Sequence, residues 1–155
     1  MAKEIERKFL VINDRWRDQI QSSHRMVQGY LNDEGRASVR ARISGDQAWL
    51  NIKSRTLGVQ RDEYEYAIPV ADAQQMLDTL ADGALIDKTR HLVDVDGLTW
   101  EVDEFYGDNA GLIVAEVELD SPDAEFTKPA WAGEEVTDDP RYYNVALVRH
   151  PFAMW

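Results

Sequence analysis

Glu4-Ile5-Glu6-Arg7-Lys8-Phe9-Leu10-Val11 changes character at every step. Glu4, Glu6 and Lys8 fall on one parity, while Ile5, Arg7 and Phe9 fall on the other. Period two is the mark of a strand, whose successive side chains point to opposite faces. The pattern recurs down the chain. Arg40 and Arg42 oppose Val39, Ala41 and Ile43, and Lys53 shares a parity with Trp49 and Asn51, opposite Leu50 and Ile52. Arg61, Glu63 and Glu65 oppose Tyr64, Tyr66 and Ile68, and Lys88 and Arg90 oppose Thr89, His91 and Val93. Glu101 and Asp103 oppose Trp100 and Val102, and Glu116 and Glu118 oppose Val117 and Leu119.

Turn signals place these segments in order. Strands are expected over Glu4–Val11, Met26–Leu31, Arg36–Ser44, Ala48–Arg55, Arg61–Ile68, Ile86–Asp94, Leu98–Phe105 and Leu112–Leu119. Asn32-Asp33-Glu34-Gly35, Gly45-Asp46, the loop Thr56–Gln60, Asp96-Gly97 and Gly107–Gly111 supply the breaks between them. Helices are expected over Asn13–Ser22, where Trp16 and Ile20 fall four apart, over Ala71–Leu80, and from Asp139-Pro140 to Leu147. Ser121–Pro129 reads as irregular chain. Eight strands joined mostly by short turns predict a mainly β (α+β) protein. The expected architecture is an eight-stranded antiparallel β-barrel forming a charged tunnel, with helices packed outside.

The charge types decide which face is inside. Arg40/Arg42 and Lys88/Arg90 are purely basic pairs, and Glu101/Asp103 and Glu116/Glu118 are purely acidic ones. A face made only for solubility mixes both signs along each strand. The opposite faces are rich in Ile, Val, Leu, Trp and Tyr and suit packing under helices. A charged interior is costly unless a ligand, metal or water compensates it, so the lining is a candidate site. Lys and Arg on several strands suit a phosphate chain. Carboxylates without cysteine suit a hard ion such as Mg²⁺ or Mn²⁺. Together they describe a metal-bound polyphosphate.

Glu4-Ile5-Glu6-Arg7-Lys8 resembles the ExExK signature of the CYTH superfamily, the triphosphate tunnel metalloenzymes. The resemblance continues through Arg40-x-Arg42, Lys53, Glu63-x-Glu65, Lys88-x-Arg90, Glu101-x-Asp103 and Glu116-x-Glu118. Gly133–Tyr142 and Asn144 are similar to the closing segment of the short bacterial members, which are typically inorganic triphosphatases. The resemblance implies a barrel tunnel and metal-dependent chemistry on a triphosphate. It also implies that Lys8, Arg40, Arg42, Lys53, Lys88 and Arg90 hold phosphate oxygens. Glu4, Glu6, Glu116 and Glu118 would bind Mg²⁺ or Mn²⁺, with Glu101 and Asp103 nearby. Lys8 and Tyr30 would form the catalytic pair that moves a proton. Hydrolysis of inorganic triphosphate to pyrophosphate and phosphate is the leading expectation. Class IV adenylate cyclase, thiamine or nucleoside triphosphatase, and a non-catalytic polyphosphate-binding module are the alternatives.

Composition bounds the rest. The 155 residues carry 17 Lys+Arg against 29 Asp+Glu, a net charge of −12, with 44% hydrophobic residues. That length is expected to make a single domain over residues 1–155, burying roughly two-thirds of its unfolded surface. The acidic balance argues against nucleic acid or an anionic membrane as partner. Zero cysteines exclude disulfides and thiolate sites. Met1-Ala2-Lys3-Glu4 begins no signal peptide and no apolar run is long enough to span a bilayer, so a cytoplasmic monomer or homodimer is expected. Asp94-Val95-Asp96-Gly97 lacks the spacing of a calcium loop, and neither a GxxxxGK(S/T) loop nor a GxSxG elbow occurs. His24, His91 and His150 are too scattered for zinc, and the Trp residues read as packing anchors.

Overall fold

Alternating segments with turn residues between them pair with their neighbours. In the computed structural model they do so over nine antiparallel strands. Residues 3–32, 34–56 and 58–155 are described; Met1, Ala2, Asp33 of the expected turn and Leu57 of the expected loop lie outside them. The strands are β1 (Lys3–Val11), β2 (Ile20–Asn32), β3 (Ala37–Ser44), β4 (Gln47–Ser54), β5 (Gln60–Ile68), β6 (Asp82–Val95), β7 (Leu98–Phe105), β8 (Ile113–Glu118) and β9 (Ala132–Glu135). They run in the order β5-β4-β3-β2-β6-β7-β8-β1-β9. Pairing of β1 with β5, through Lys3↔Asp62, Glu4↔Arg61 and Ile5↔Gln60, closes eight of them into a barrel. The ninth, β9, lies on the free edge of β1, with Phe9 opposite Glu135 and Val11 opposite Ala132. Asp96 and Gly97 both take positive φ, 48° and 82°, as the tight turn between β6 and β7 requires.

Two of the three helix expectations change and the third holds. The helix expected over Asn13–Ser22 is only a 3-10 turn, Arg15–Gln19, and Ile20 already opens β2, paired with Val93. Trp16 meets the barrel by lying 5.0 Å from the His91 ring, so no helical stripe is needed to bury it. Ser22, Ser23 and His24 are poor helix formers that a ladder accommodates. The final helix splits into a 3-10 turn, Pro140–Tyr142, and a short α2, Asn144–Leu147, separated by an extended Tyr143 (φ −79°, ψ 137°). The Tyr143 hydroxyl donates to the Thr137 carbonyl at 2.6 Å and holds that break. The helix of the Ala71–Leu80 region forms as α1, Val70–Thr79, with Ala73 and Leu77 buried.

α1 covers β2, β3 and β4 from outside, as expected of a helical cover. Close approach is possible because Gly29 lacks a side chain; a Cβ there would stand 2.8 Å from Leu85 and 3.0 Å from Leu77. Elsewhere the cover is irregular chain rather than helix. Phe9, Trp100, Val102 and Val117, on the outward parity, pack with Trp16, Phe126 and Trp131. The inward face is also not charged throughout. At one end Tyr30, Ile86, Phe105 and Val114 form a second apolar core with Tyr142, Leu147 and Val148, so the C-terminal segment packs across that end of the tunnel. Among the described residues no helix is long and apolar enough to cross a membrane.

Candidate active site

The charged parity of seven strands converges on one interior cavity of about 490 Å³. Glu4, Glu6, Lys8, Tyr30, Arg40, Arg42, Lys53, Lys88, Arg90, Glu101, Glu116 and Glu118 all line it. Asp103 is brought to the same place but lies beneath the lining. Its carboxylate accepts from Lys88 Nζ at 2.7 Å and from Arg90 Nε and Nη2 at 2.8 and 2.9 Å. Burial works to raise Asp103, but Arg90 and Lys88 hold it down at about 2. It therefore serves as the fixed counter-charge that orients two cations.

Register explains the meeting of basic and acidic groups. Lys8 on β1 stands opposite Glu116 on β8, and the ammonium lies 3.5 Å from that carboxylate. The same ammonium donates to the Tyr142 carbonyl at 3.1 Å and sits 4.4 Å from the centre of the Tyr143 ring. Tyr30 stands opposite Arg40 on the neighbouring strands, in the apolar end of the interior. Lys53 reaches Glu4 at 3.2 Å and Glu63 at 3.4 Å. Arg61 bridges Glu4 at 3.1 Å and Glu6 at 3.4 Å.

Arg40 and Arg42 differ from these. Both are buried, and among the described residues neither has a carboxylate partner. Among the described residues Arg42 donates to the Gln28 side chain alone, at 2.8 Å, and Arg40 Nε has no hydrogen-bond partner. Burial lowers Arg42 to about 9, with Arg40 and Arg90 adding like-charge repulsion. Burial also lowers Lys88 to about 7, against the pull of Asp103 and with Arg90 and Arg42 opposing its charge. Two buried guanidiniums without a carboxylate partner, next to Lys88 and Arg90 already paired with Asp103, leave N–H donors that fit an anion able to supply the missing acceptors.

The acidic side shows the reverse strain. Carboxylate oxygens of Glu6, Glu101 and Glu116 lie within 4.8 Å of one another. Burial, then Glu116 and Glu4, push Glu6 up to about 8. Glu116 is buried too, yet Lys8, Arg90 and Lys88 hold it well below the usual carboxylate range. Burial raises Glu118, helped by Glu4 and Glu101. Crowded, oxygen-only donors that resist sharing negative charge fit a hard divalent cation such as Mg²⁺ or Mn²⁺.

Arg61 and Glu63 lie on the inward parity of β5 and join this site, a signal present in the sequence. Gln28 and Tyr143 join it without one, because an uncharged side chain does not stand out in a charge pattern, and Asn144 joins it marked only by the family resemblance.

A closed antiparallel barrel with an inward face of paired cations and carboxylates defines a tunnel built for a metal-bound polyanion. The CYTH domain family model matches residues 2–143, and the chain belongs to that family. It is similar to an inorganic triphosphatase of Acetivibrio thermocellus, 44% identical over 152 residues that cover 98% of this chain and 97% of the relative. It is also similar to an inorganic triphosphatase of Nitrosomonas europaea, 39% identical over 148 residues, covering 93% and 95%. The solved structure of the inorganic triphosphatase NE1496 superposes with a TM-score of 0.70 at 36% identity, over 96% of this chain and 95% of that one.

Proposed function

We propose that this protein hydrolyses inorganic triphosphate to pyrophosphate and phosphate inside the barrel, in a reaction that depends on Mg²⁺ or Mn²⁺. The observation that carries the reading is the pair of buried guanidinium groups, Arg40 and Arg42, that lack carboxylate partners among the described residues, beside the buried Lys88 and the half-buried Arg90. The family relatives named as inorganic triphosphatases support it over almost their whole length.

Phosphoryl transfer is catalysed mainly by positioning and by neutralising charge on the phosphate oxygens. Arg40, Arg42, Lys88 and Arg90 would bind the chain, with Lys8 and Lys53 at the acidic side. Glu6, Glu101 and Glu116 would hold the divalent ion, with Glu4 and Glu118 beside them. When bound, that ion supplies charge neutralisation on the phosphate and orientation for the attacking water. Lys8 and Tyr30 are the pair proposed to move the water's proton: as the water oxygen bonds to phosphorus, its proton would pass to Nζ of Lys8 in the free-amine form, with the Tyr30 phenol oxygen as relay. We place the reaction in the cytoplasm, with no role for nucleic acid or membrane, in a monomer or homodimer.

A panel of tripolyphosphate, pyrophosphate, ATP and thiamine triphosphate, with Mg²⁺ or Mn²⁺, tests the assignment through release of phosphate and formation of cyclic AMP. Tripolyphosphate should be the best substrate by kcat/KM. Cyclic AMP from ATP, or faster turnover of the organic triphosphates, would overturn it. Binding of tripolyphosphate without turnover would instead leave a polyphosphate-binding module.

A further inference from the structure

We propose that Asn144, acting with Gln28, is a positioning residue of the tunnel: the two amides tie the Lys88 ammonium to the Arg42 guanidinium and fix both cations for the triphosphate. The proposal rests on the triphosphatase reading given above.

A single chain of hydrogen bonds carries it. Arg42 Nε donates to Gln28 Oε1 at 2.8 Å, and Gln28 Nε2 donates to Asn144 Oδ1 at 3.0 Å. Lys88 Nζ donates to the same Asn144 oxygen at 2.9 Å and to Asp103 at 2.7 Å. Asp103 then accepts from Arg90. Each link has one polarity. Gln28 must accept at its oxygen and donate at its nitrogen, and Asn144 must turn its oxygen toward both donors. Gln28 is fully buried (0% exposed) and Lys88 nearly so (1%), which holds that amide and that ammonium in these orientations.

Charge explains why amides occupy these places. Arg42 must be held without being neutralised, because a carboxylate bound to it competes with phosphate. Asp103 already neutralises the Lys88–Arg90 side. A neutral acceptor orients the remaining N–H without adding negative charge to the phosphate channel. Asn144 also comes from the far end of the chain, 116 residues from Gln28. The extended Tyr143 just before it delivers the amide into the tunnel wall, so the C-terminal segment becomes part of the phosphate site.

The test compares the parent with Asn144→Ala, Gln28→Ala and the double variant. KM and kcat for tripolyphosphate, the Mg²⁺ midpoint of activity and the melting temperature are measured for each. Each single change should raise KM about tenfold or more, the scale of a lost charge-assisted hydrogen bond. kcat should stay within about threefold and the Mg²⁺ midpoint should not move. Because the residues act in one chain, the double variant should raise KM little beyond the larger single effect. An unchanged KM in an active parent background overturns this inference alone. So does a parallel loss of kcat, KM, metal response and melting temperature, which marks a merely structural role. A parent that neither binds nor hydrolyses tripolyphosphate overturns the functional reading as well, since no such anion then needs positioning. Asn144→Asp keeps the Oδ1 acceptor that both donors use; it should raise KM through repulsion of phosphate, and an unchanged KM there also refutes the proposal.

Discussion

Removing metal should make the protein less stable as pH rises from about 5 to 7, and Glu6 should account for most of the slope. Burial, with Glu116 and Glu4 nearby, raises Glu6 in the folded protein to about 8, against 4.5 for an ordinary glutamate. Protonation thus favours the folded state. This contribution is complete below the unfolded value and is lost as pH climbs through the folded one. Across that window the folded protein holds about one proton more than the unfolded chain, so stability falls by about 1.4 kcal/mol per pH unit. Between about pH 5 and 7 the loss is on the order of 2–3 kcal/mol, or roughly 5–10 °C in melting temperature for a domain of this size. Glu63 and Glu118 are raised as well and act with the same sign. Asp103, Glu4 and Glu116 are lowered, so their contributions are lost only at more acidic pH. Lys88, lowered to about 7, makes stability rise with pH only above that value, which sets the upper limit of the useful range. Thermal melts in EDTA at constant ionic strength, on the parent and on Glu6→Gln, measure the effect. The parent should lose its 5–10 °C and Glu6→Gln should be much flatter (roughly, by the same linkage). A melting temperature that rises over this range, or an equal fall in both proteins, would refute the placement of the proton on Glu6.

Activity should vanish in excess EDTA and return with Mg²⁺ or Mn²⁺, because the acidic strands offer oxygen ligands only; full turnover in chelated buffer contradicts this. Calcium in excess should inhibit, since its larger, looser coordination misplaces a substrate set for octahedral Mg²⁺, and equal rates with both ions would remove that argument. Gly29→Ala should lower stability by about 1–3 kcal/mol in denaturant melts, as the new methyl meets Leu85, Ala81 and Leu77 at 2.8 to 3.0 Å. An unchanged midpoint would mean that α1 shifts freely.

The parity of the charged residues made most of the barrel legible, because a two-residue period and an Asp-Gly turn are local signals. Ile20–Arg25 was not: four-residue spacing between Trp16 and Ile20 imitates a helix, whereas Trp16 is buried by a single turn against His91. β9 carries no alternation long enough to notice, and Gly133 interrupts it, since a Cβ there would meet Ile12 at 2.5 Å. Charge alone brought Asp103 to the site but did not reveal its depth, which depends on Lys88 and Arg90 closing over it. Gln28 was invisible for a different reason, and Asn144 was marked only by the family resemblance. Their importance lies in a contact between distant parts of the chain, and neither bears a charge that would single it out. The apolar end of the tunnel follows the same rule, because Tyr30, Ile86 and Phe105 find Leu147 and Val148 only in three dimensions.

The central claim is that the inward face of the barrel, and not the strand as a whole, performs the chemistry. Glu6 and Arg7 are adjacent and test it as a pair. Glu6 lines the tunnel within 4.8 Å of the Glu101 and Glu116 oxygens. Arg7 points outward, with its Nε bonded to Glu135 at 2.9 Å and its guanidinium 5.2 Å from the Phe126 ring centre. The measurement is kcat for tripolyphosphate in Glu6→Ala and Arg7→Ala, with folding checked by circular dichroism. Glu6→Ala should lower kcat by about a hundredfold or more, and Arg7→Ala should keep it within a few-fold of the parent while lowering the melting temperature. Equal loss of kcat in both folded variants, or none in Glu6→Ala, would contradict the account.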